Sequence, residues 1–343
     1  MANKAIVLVT GANGYISGSV VEAFLKAGYA VRGTVRSKSS AEPLIKALSS
    51  YGNDLEIVEV PDIVAPGAFD AAVKEPGVHA ILHLAAVVDM GVTDPDAVLE
   101  VSIQGTRSVL ASALTEPSIK SVVLMSSIAA MTGIGSPSTS RVTEADWNDA
   151  ALDAVKKLGK ESSGPLIYIA SKVAGERAFW KFRDEEKPSF TMTALNPTFV
   201  MGPQPALDSL SKIGGTTAFI WQVFSGQEIP QPLSPYPSYV DVRDVARVAV
   251  FSVDHPDNVN GERFLLTAGI VPPQAAADVL RKAYPDRRDI IKVGKPGEGY
   301  YPGYAFPENS VLDASKTKKL TGQDFYPVEQ SIIDTAKSLE KFL

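Results

Sequence analysis

Thr10-Gly11-Ala12-Asn13-Gly14-Tyr15-Ile16-Ser17 joins an apolar run, Ala5-Ile6-Val7-Leu8-Val9, to a segment of helical spacing from Ile16 to Lys26. The run reads as a strand buried in a parallel sheet. In the helical segment Val20, Val21, Phe24 and Leu25 share the inward face, and the segment ends near Gly28. Strand, glycine turn and helix bring free backbone N–H groups and the positive end of the helix dipole to one point, which favours a phosphate. Gly11 permits the tight turn, Gly14 lets the backbone approach a pyrophosphate, and the small Ser17 allows helix and strand to pack closely. An ordinary strand–turn–helix would share this spacing, so the motifs further along the chain decide between the two.

The second strand is Ala30-Val31-Arg32-Gly33-Thr34-Val35. Folds that bind NAD commonly end this strand on a carboxylate, which holds the ribose 2′-hydroxyl. Here Val35 is followed by Arg36-Ser37-Lys38, and a guanidinium suits a 2′-phosphate where a carboxylate would repel it. The expected cofactor is therefore NADPH. A helix over Ala41–Leu48 leads to a third strand, Leu55–Val60, ending at Pro61-Asp62-Ile63. Asp62 fits either an acceptor for an adenine amino group or a turn former. The fourth strand, Ala80–Leu84, runs into the small residues Ala85 and Ala86, against which a flat cofactor can lie. His83 reads as a core histidine rather than a catalyst.

Asp94 or Asp96 caps the next helix, and Ser121-Val122-Val123-Leu124-Met125 forms a fifth strand ending at Ser126-Ser127. A long polar segment, Gly133 to Gly164, precedes a periodic helix running from near Tyr168 to about Glu186. The sixth strand, Phe190–Leu195, leads into Asn196-Pro197. Alternating strands and helices to this point predict an α/β fold, a Rossmann-type doubly wound parallel sheet with right-handed crossovers. Most of the 24 prolines lie from Pro197 onward, which marks a smaller, irregular C-terminal substrate lobe. The expected division is a dinucleotide-binding domain over 1–196, with 238–267 contributing, and a mainly substrate-binding lobe over 197–343.

Tyr168-Ile169-Ala170-Ser171-Lys172 carries the chemistry. Residues four apart share a helical face, so the Tyr168 hydroxyl and the Lys172 ammonium point the same way. A free phenol exchanges protons poorly at neutral pH, and a cation beside it favours the phenolate. Tyr168 then serves as general acid toward a carbonyl oxygen that receives hydride. Ser127, at the carboxyl end of a parallel strand where ligand clefts form, can hydrogen-bond the same oxygen. Its neighbours Ser126 and Ile128 are not the glycines of a hydrolase elbow, and no histidine is placed to activate it, which argues against hydrolysis.

These motifs together resemble the extended short-chain dehydrogenase/reductases, in the dihydroflavonol-reductase-like branch that includes fungal carbonyl and methylglyoxal reductases. The residues that carry the resemblance are Thr10–Ile16, Val31–Arg36, Met125-Ser126-Ser127, Tyr168 with Lys172, Asn196-Pro197 with Val200 and Gly202-Pro203, and Tyr239–Ala246. It implies that Ser127, Tyr168 and Lys172 are catalytic, with Lys172 on the nicotinamide ribose. It implies cofactor contacts from Gly11, Asn13, Gly14, Tyr15, Ile16, Arg36, Asp62, Ile63, Leu84, Ala85, Ala86, Tyr168, Lys172, Pro197 and Val200. Ser127, Tyr168 and Phe199 would meet the substrate. The chain departs from the family in three places: Ser17 replaces the third turn glycine, Ser102-Ile103-Gln104-Gly105-Thr106 stands where an Asn often opens the helix motif, and Ser40 replaces a second basic residue.

Composition narrows the function. The net charge of −6, without a basic block, excludes a nucleic-acid partner, and the absence of cysteine removes disulfide and thiolate chemistry. The three histidines lack metal-ligand spacing, so no metal is expected. The run from Ala80 to Val92 is interrupted by His83 and Asp89, which argues against a membrane span, and the early first strand leaves no room for a signal peptide. The expectation is a cytoplasmic monomer or homodimer that reduces a small-molecule carbonyl substrate. A sugar-nucleotide epimerase or dehydratase, a hydroxysteroid dehydrogenase and a non-enzymatic NADP sensor are the alternatives on this fold. Asp241, Arg243 and Asp244 read as a structural joint between lobes, while Trp221, Phe224, Tyr236 and Tyr239 fit either a pocket wall or plain core.

Overall fold

A computed structural model describes residues 4–74, 77–86, 91, 93–133, 141–213, 217–232, 237–308 and 312–343. Val87, Asp89 and Tyr236 lie outside the described residues. Seven strands form one parallel sheet: β1 (Ile6–Thr10), β2 (Ala30–Val35), β3 (Leu55–Glu59), β4 (Val78–His83), β5 (Ser121–Met125), β6 (Thr191–Pro197) and β9 (Arg263–Leu266), in the order β3-β2-β1-β4-β5-β6-β9. β7 (Phe199–Met201), β8 (Ser238–Asp241) and β10 (Gly269–Ile270) make a second, small sheet in the order β10-β8-β7. The chain passes from one sheet to the other within two residues, since β6 ends at Pro197 and β7 begins at Phe199. β2 and β5 coincide with the segments read from the sequence.

The strands are apolar on both faces because helices cover both. On one side, α1 (Tyr15–Lys26), α2 (Glu42–Ala47) and a later helix, Val242–Asp254, bury Val20, Val21, Phe24, Leu44, Val245, Val248 and Ala249 against the large sheet. On the other, α3 (Asp70–Val73) and α4 (Pro95–Leu114) bury Phe69, Val73, Val109 and Leu110, and α6 (Gly164–Glu186) adds Phe179 and Phe182. Each fully buried aliphatic or aromatic side chain of this kind contributes roughly 1.5–3 kcal/mol. Of the segment 238–267, β8 belongs to the small sheet, whereas the helix Val242–Asp254 and β9 belong to the large one.

The structure settles one boundary that the sequence left open and moves others. Asp94 is the residue that caps α4, accepting from the Ala97 N–H at 3.2 Å. The polar segment before α6 contains α5 (Asp149–Leu158), a short helix that buries only Ala151 and Val155. α6 begins at Gly164, not near Tyr168, because Pro165 is tolerated in a first turn whose N–H groups need no intrahelical partner. The remaining helices are α7 (Thr217–Phe224), α8 (the Val242–Asp254 helix), α9 (Pro256–Val259), α10 (Pro273–Ala283), α11 (Ser315–Thr321) and α12 (Val328–Leu339). α7, α10 and α12 pack together over the small sheet, and there Phe224 and Tyr239 are buried and Trp221 is half-buried. These aromatics are core.

Candidate active site

At the end of β1 the chain turns sharply through Gly11, whose φ of +64° suits glycine. A Cβ there would stand 3.1 Å from the Ala85 Cα, so the turn also lies directly on the end of β4. The opposite wall is equally close: a Cβ on Gly33 of β2 would come within 2.7 Å of the Ala12 Cβ. Gly14 is the N-cap of α1 and offers no side chain to its N–H groups, and the first turn holds no acidic residue. Helix N–H groups left without a capping side chain, at the positive end of the dipole, suit a diphosphate. Asn13 is exposed beside them, and Tyr15 and Ile16 are half-buried in the first turn.

Arg36 stands exposed just past β2 and, among the described residues, its guanidinium has no hydrogen-bond or ion-pair partner. An unpaired guanidinium on this strand end fits a 2′-phosphate. The following loop is held by Glu59, whose carboxylate accepts from the Lys38 N–H at 2.7 Å. Asp62 accepts from the Val64 N–H at 3.0 Å, so it does form a turn, while its second oxygen takes no part in that bond. Ile63 lies against α4 at Gly105, where a Cβ would approach its Cδ1 to 2.8 Å.

Thr10 joins the ends of β1 and β4. Its Oγ1 accepts from the Leu84 and Ala85 N–H groups, each at 3.0 Å, so its own proton points to His83 Nδ1, also at 3.0 Å. That pattern assigns the imidazole proton to Nε2 and keeps the ring neutral. Burial first, and then the Lys172 ammonium, pull the His83 pKa down to about 4. His83 is thus a connecting core histidine beside the lysine. Among the described residues no cluster of three His, Cys, Asp or Glu has metal-binding geometry.

Ser127 ends the stretch after β5 and caps a short turn, Ile128–Ala130, by accepting from the Ala129 N–H at 3.2 Å. That turn packs on α6 in a cluster that includes Ala129, Ile169, Ala170 and Tyr168. On α6 the Lys172 Nζ lies 5.7 Å from the centre of the Tyr168 ring. A cleft lined by His83, Ala85, Ala86, Ser126, Lys172 and Glu176 opens at the ends of β4 and β5. The structure therefore brings Ser127, Tyr168 and Lys172 to the same end of the large sheet as the glycine turn. Pro197 and Val200 are buried where β6 passes into β7, and Phe199 between them is half-buried. Sequence reasoning missed Glu176 entirely, although its interval of four from Lys172 was visible.

A parallel sheet of this order, with an uncapped glycine turn and a Tyr–Lys pair at its carboxyl end, defines a dinucleotide-binding enzyme fold of the short-chain dehydrogenase type. Residues 7–266 match the NAD dependent epimerase/dehydratase family, and the chain belongs to it. It is 33% identical to aldehyde reductase 2 of Sporidiobolus salmonicolor, over 97% of this chain and 96% of that one. It is 31% identical to an NADPH-dependent methylglyoxal reductase of Saccharomyces cerevisiae, over 98% of both chains. The crystal structure of a yeast methylglyoxal/isovaleraldehyde reductase complexed with NADPH superposes with a TM-score of 0.85, at 29% identity and 98% coverage of each chain.

Proposed function

We propose that this chain is an NADPH-dependent carbonyl reductase that converts aldehydes or ketones to alcohols. The observation that carries the reading is the Tyr168 ring beside the Lys172 Nζ, 5.7 Å from its centre, on the helix that packs against the Ser127 turn. NADPH, when bound, supplies the hydride. Gly11, Asn13, Gly14, Tyr15 and Ile16 hold its diphosphate, Arg36 its 2′-phosphate, and Asp62 and Ile63 its adenine. Leu84, Ala85 and Ala86 back the cofactor, and Pro197 and Val200 flank the nicotinamide.

Tyr168 donates its hydroxyl proton to the substrate oxygen as negative charge develops there, and Ser127 donates a second hydrogen bond to that oxygen. Lys172 holds the ribose, and its charge steadies the tyrosine oxygen that gives up the proton. Phe199 lines the substrate side, which 197–343 mainly forms, while 1–196 with 238–267 holds the dinucleotide. The protein acts in the cytoplasm as a monomer or homodimer, and its lack of cysteine suits a reducing compartment. Relatives named as NADPH-dependent methylglyoxal and aldehyde reductases support the same chemistry.

The test follows NADPH absorbance with methylglyoxal and a panel of aldehydes and ketones. Wild type consumes NADPH, and Tyr168→Phe loses roughly 10²–10⁴-fold in turnover while still binding NADPH. Near-normal turnover by Tyr168→Phe would end the reading.

A further inference from the structure

Tyr168, Lys172 and Glu176 follow one another at four-residue intervals along one face of α6. Glu176 has no exposed side-chain surface. Its Oε2 accepts from the Ser126 hydroxyl at 2.5 Å and from the Asn196 Nδ2 at 2.7 Å. Its Oε1 accepts from the Arg263 Nε at 2.6 Å and from the Trp180 Nε1 at 3.2 Å. Asn196 donates a further bond, at 3.1 Å, to the carbonyl of Ser127. One carboxylate therefore gathers the ends of β5 and β6 and the start of β9 onto the helix that bears Tyr168 and Lys172.

Burying an ion pair is a poor way to gain stability, because desolvation offsets much of the attraction and an apolar replacement often does as well. What a carboxylate held by four residues gives instead is direction. We propose that Glu176 is a positioning residue for hydride transfer. Through Ser126 and Asn196 it sets the rotation and axial register of α6 on the sheet, so that Ser127 and Tyr168 converge on one carbonyl oxygen. The inference rests on the reading of Ser127, Tyr168 and Lys172 as catalytic. A misplacement of about 1 Å among reacting groups can cost ~100-fold in rate, so small rotations of α6 matter.

Glu176→Gln tests this, because either amide orientation turns an NH₂ toward a pair of donors. Ser126→Ala removes one donor, keeps the Arg263 pair intact, and carries the test if the glutamine variant does not fold. NADPH affinity, melting temperature, kcat and KM for methylglyoxal, and the isotope effect with 4-deuterated NADPH are measured, with Tyr168→Phe alongside. Expected are near wild-type NADPH affinity, a fall in kcat of ~10–100-fold, and a larger isotope effect on kcat as chemistry becomes slower. Wild-type kcat in both folded variants, with Tyr168→Phe inactive, overturns the role of Glu176 alone. So does a loss of kcat that vanishes once corrected for the folded fraction. An active Tyr168→Phe overturns the catalytic reading and this inference with it.

Discussion

The Tyr15 hydroxyl donates to the Gly202 carbonyl at 2.9 Å, tying the first turn of the helix behind the glycine turn to the end of β7. Gly202 is held from two more sides. Its N–H donates to the Thr335 hydroxyl of α12 at 2.9 Å, and a Cβ on it would stand 3.0 Å from an Asp241 oxygen. With φ at +126° and no room for a side chain, the position requires glycine. Burial, and then the Asp241 carboxylate, hold the Tyr15 phenol well above its ordinary range, so it remains a donor at any working pH. The helix behind the glycine turn, the small sheet and the C-terminal helix thus meet at one peptide group.

Tyr15→Phe removes that tie and leaves a buried carbonyl without its donor. The expected cost is ~1 kcal/mol in unfolding free energy. NADPH affinity should fall by about fivefold in parallel, measured by quenching of protein fluorescence, if the tie orients the turn. Lower stability with unchanged NADPH affinity would show that Tyr15 braces α1 against the end of β7 without orienting the turn.

Arg36→Ala should separate the two nicotinamide cofactors. A bidentate charge-assisted contact to phosphate is worth ~1.5–3 kcal/mol, so the KM for NADPH should rise roughly 10- to 100-fold. The KM for NADH, which has no 2′-phosphate, should change little. Equal losses for both cofactors would remove Arg36 from phosphate recognition.

The large sheet was legible because its strands are short apolar runs bounded by polar residues, and Ala30–Val35 and Ser121–Met125 emerge with their true ends. α5 escaped because Ala151 and Val155 are its only buried residues and the rest of it reads as a polar loop. The Tyr168–Lys172 pair was readable since an interval of four is a local fact. Glu176 was not, because a glutamate in a periodic helix reads as a solvent-facing residue until its partners are known. Its cation, Arg263, lies 87 residues further along the chain, and no spacing rule reaches that far. For the same reason the Thr10–His83 bond, 73 residues apart, became visible only when β1 and β4 were seen side by side.

His83 gives the protein a pH dependence of predictable sign. The unfolded chain takes up a proton on this imidazole near pH 6.5, whereas the folded site resists it down to about 4. The stability contributed by the neutral ring is therefore complete above about pH 6.5 and is lost as pH falls toward 4, by an amount on the order of 3 kcal/mol. His83→Gln lacks this step, so the difference in unfolding free energy between wild type and variant should shrink across that window. In wild type the carbon-13 resonance of the His83 ring should show the neutral form at pH 5. A midpoint at 6 or above would contradict the burial of a neutral ring beside Lys172.

Asp241 and Arg243 tie the end of β8 and the start of α8 to α12, and the order in which their variants lose stability is a test of that joint. Asp241 is wholly buried and accepts from the Arg243 backbone N–H, Nε and Nη2, each at 2.8 Å, and from the Ser331 hydroxyl at 2.7 Å. Arg243 reaches on to Asp334 of α12 at 2.6 Å and lies over the Tyr326 ring at 3.9 Å. Arg243→Ala strands a buried carboxylate and should cost ~3–5 kcal/mol. Asp334→Asn loses only a partly exposed pair and should cost ~1 kcal/mol or less. The double variant Asp241→Asn/Arg243→Met should be more stable than Arg243→Ala, because it leaves no unpaired charge. Urea unfolding gives the three values, and hydrogen exchange over Val328–Leu339 reports whether α12 detaches first. Equal costs for Arg243→Ala and Asp334→Asn would mean that Ser331 and the backbone N–H alone suffice to hold Asp241, and that the guanidinium is not the joint.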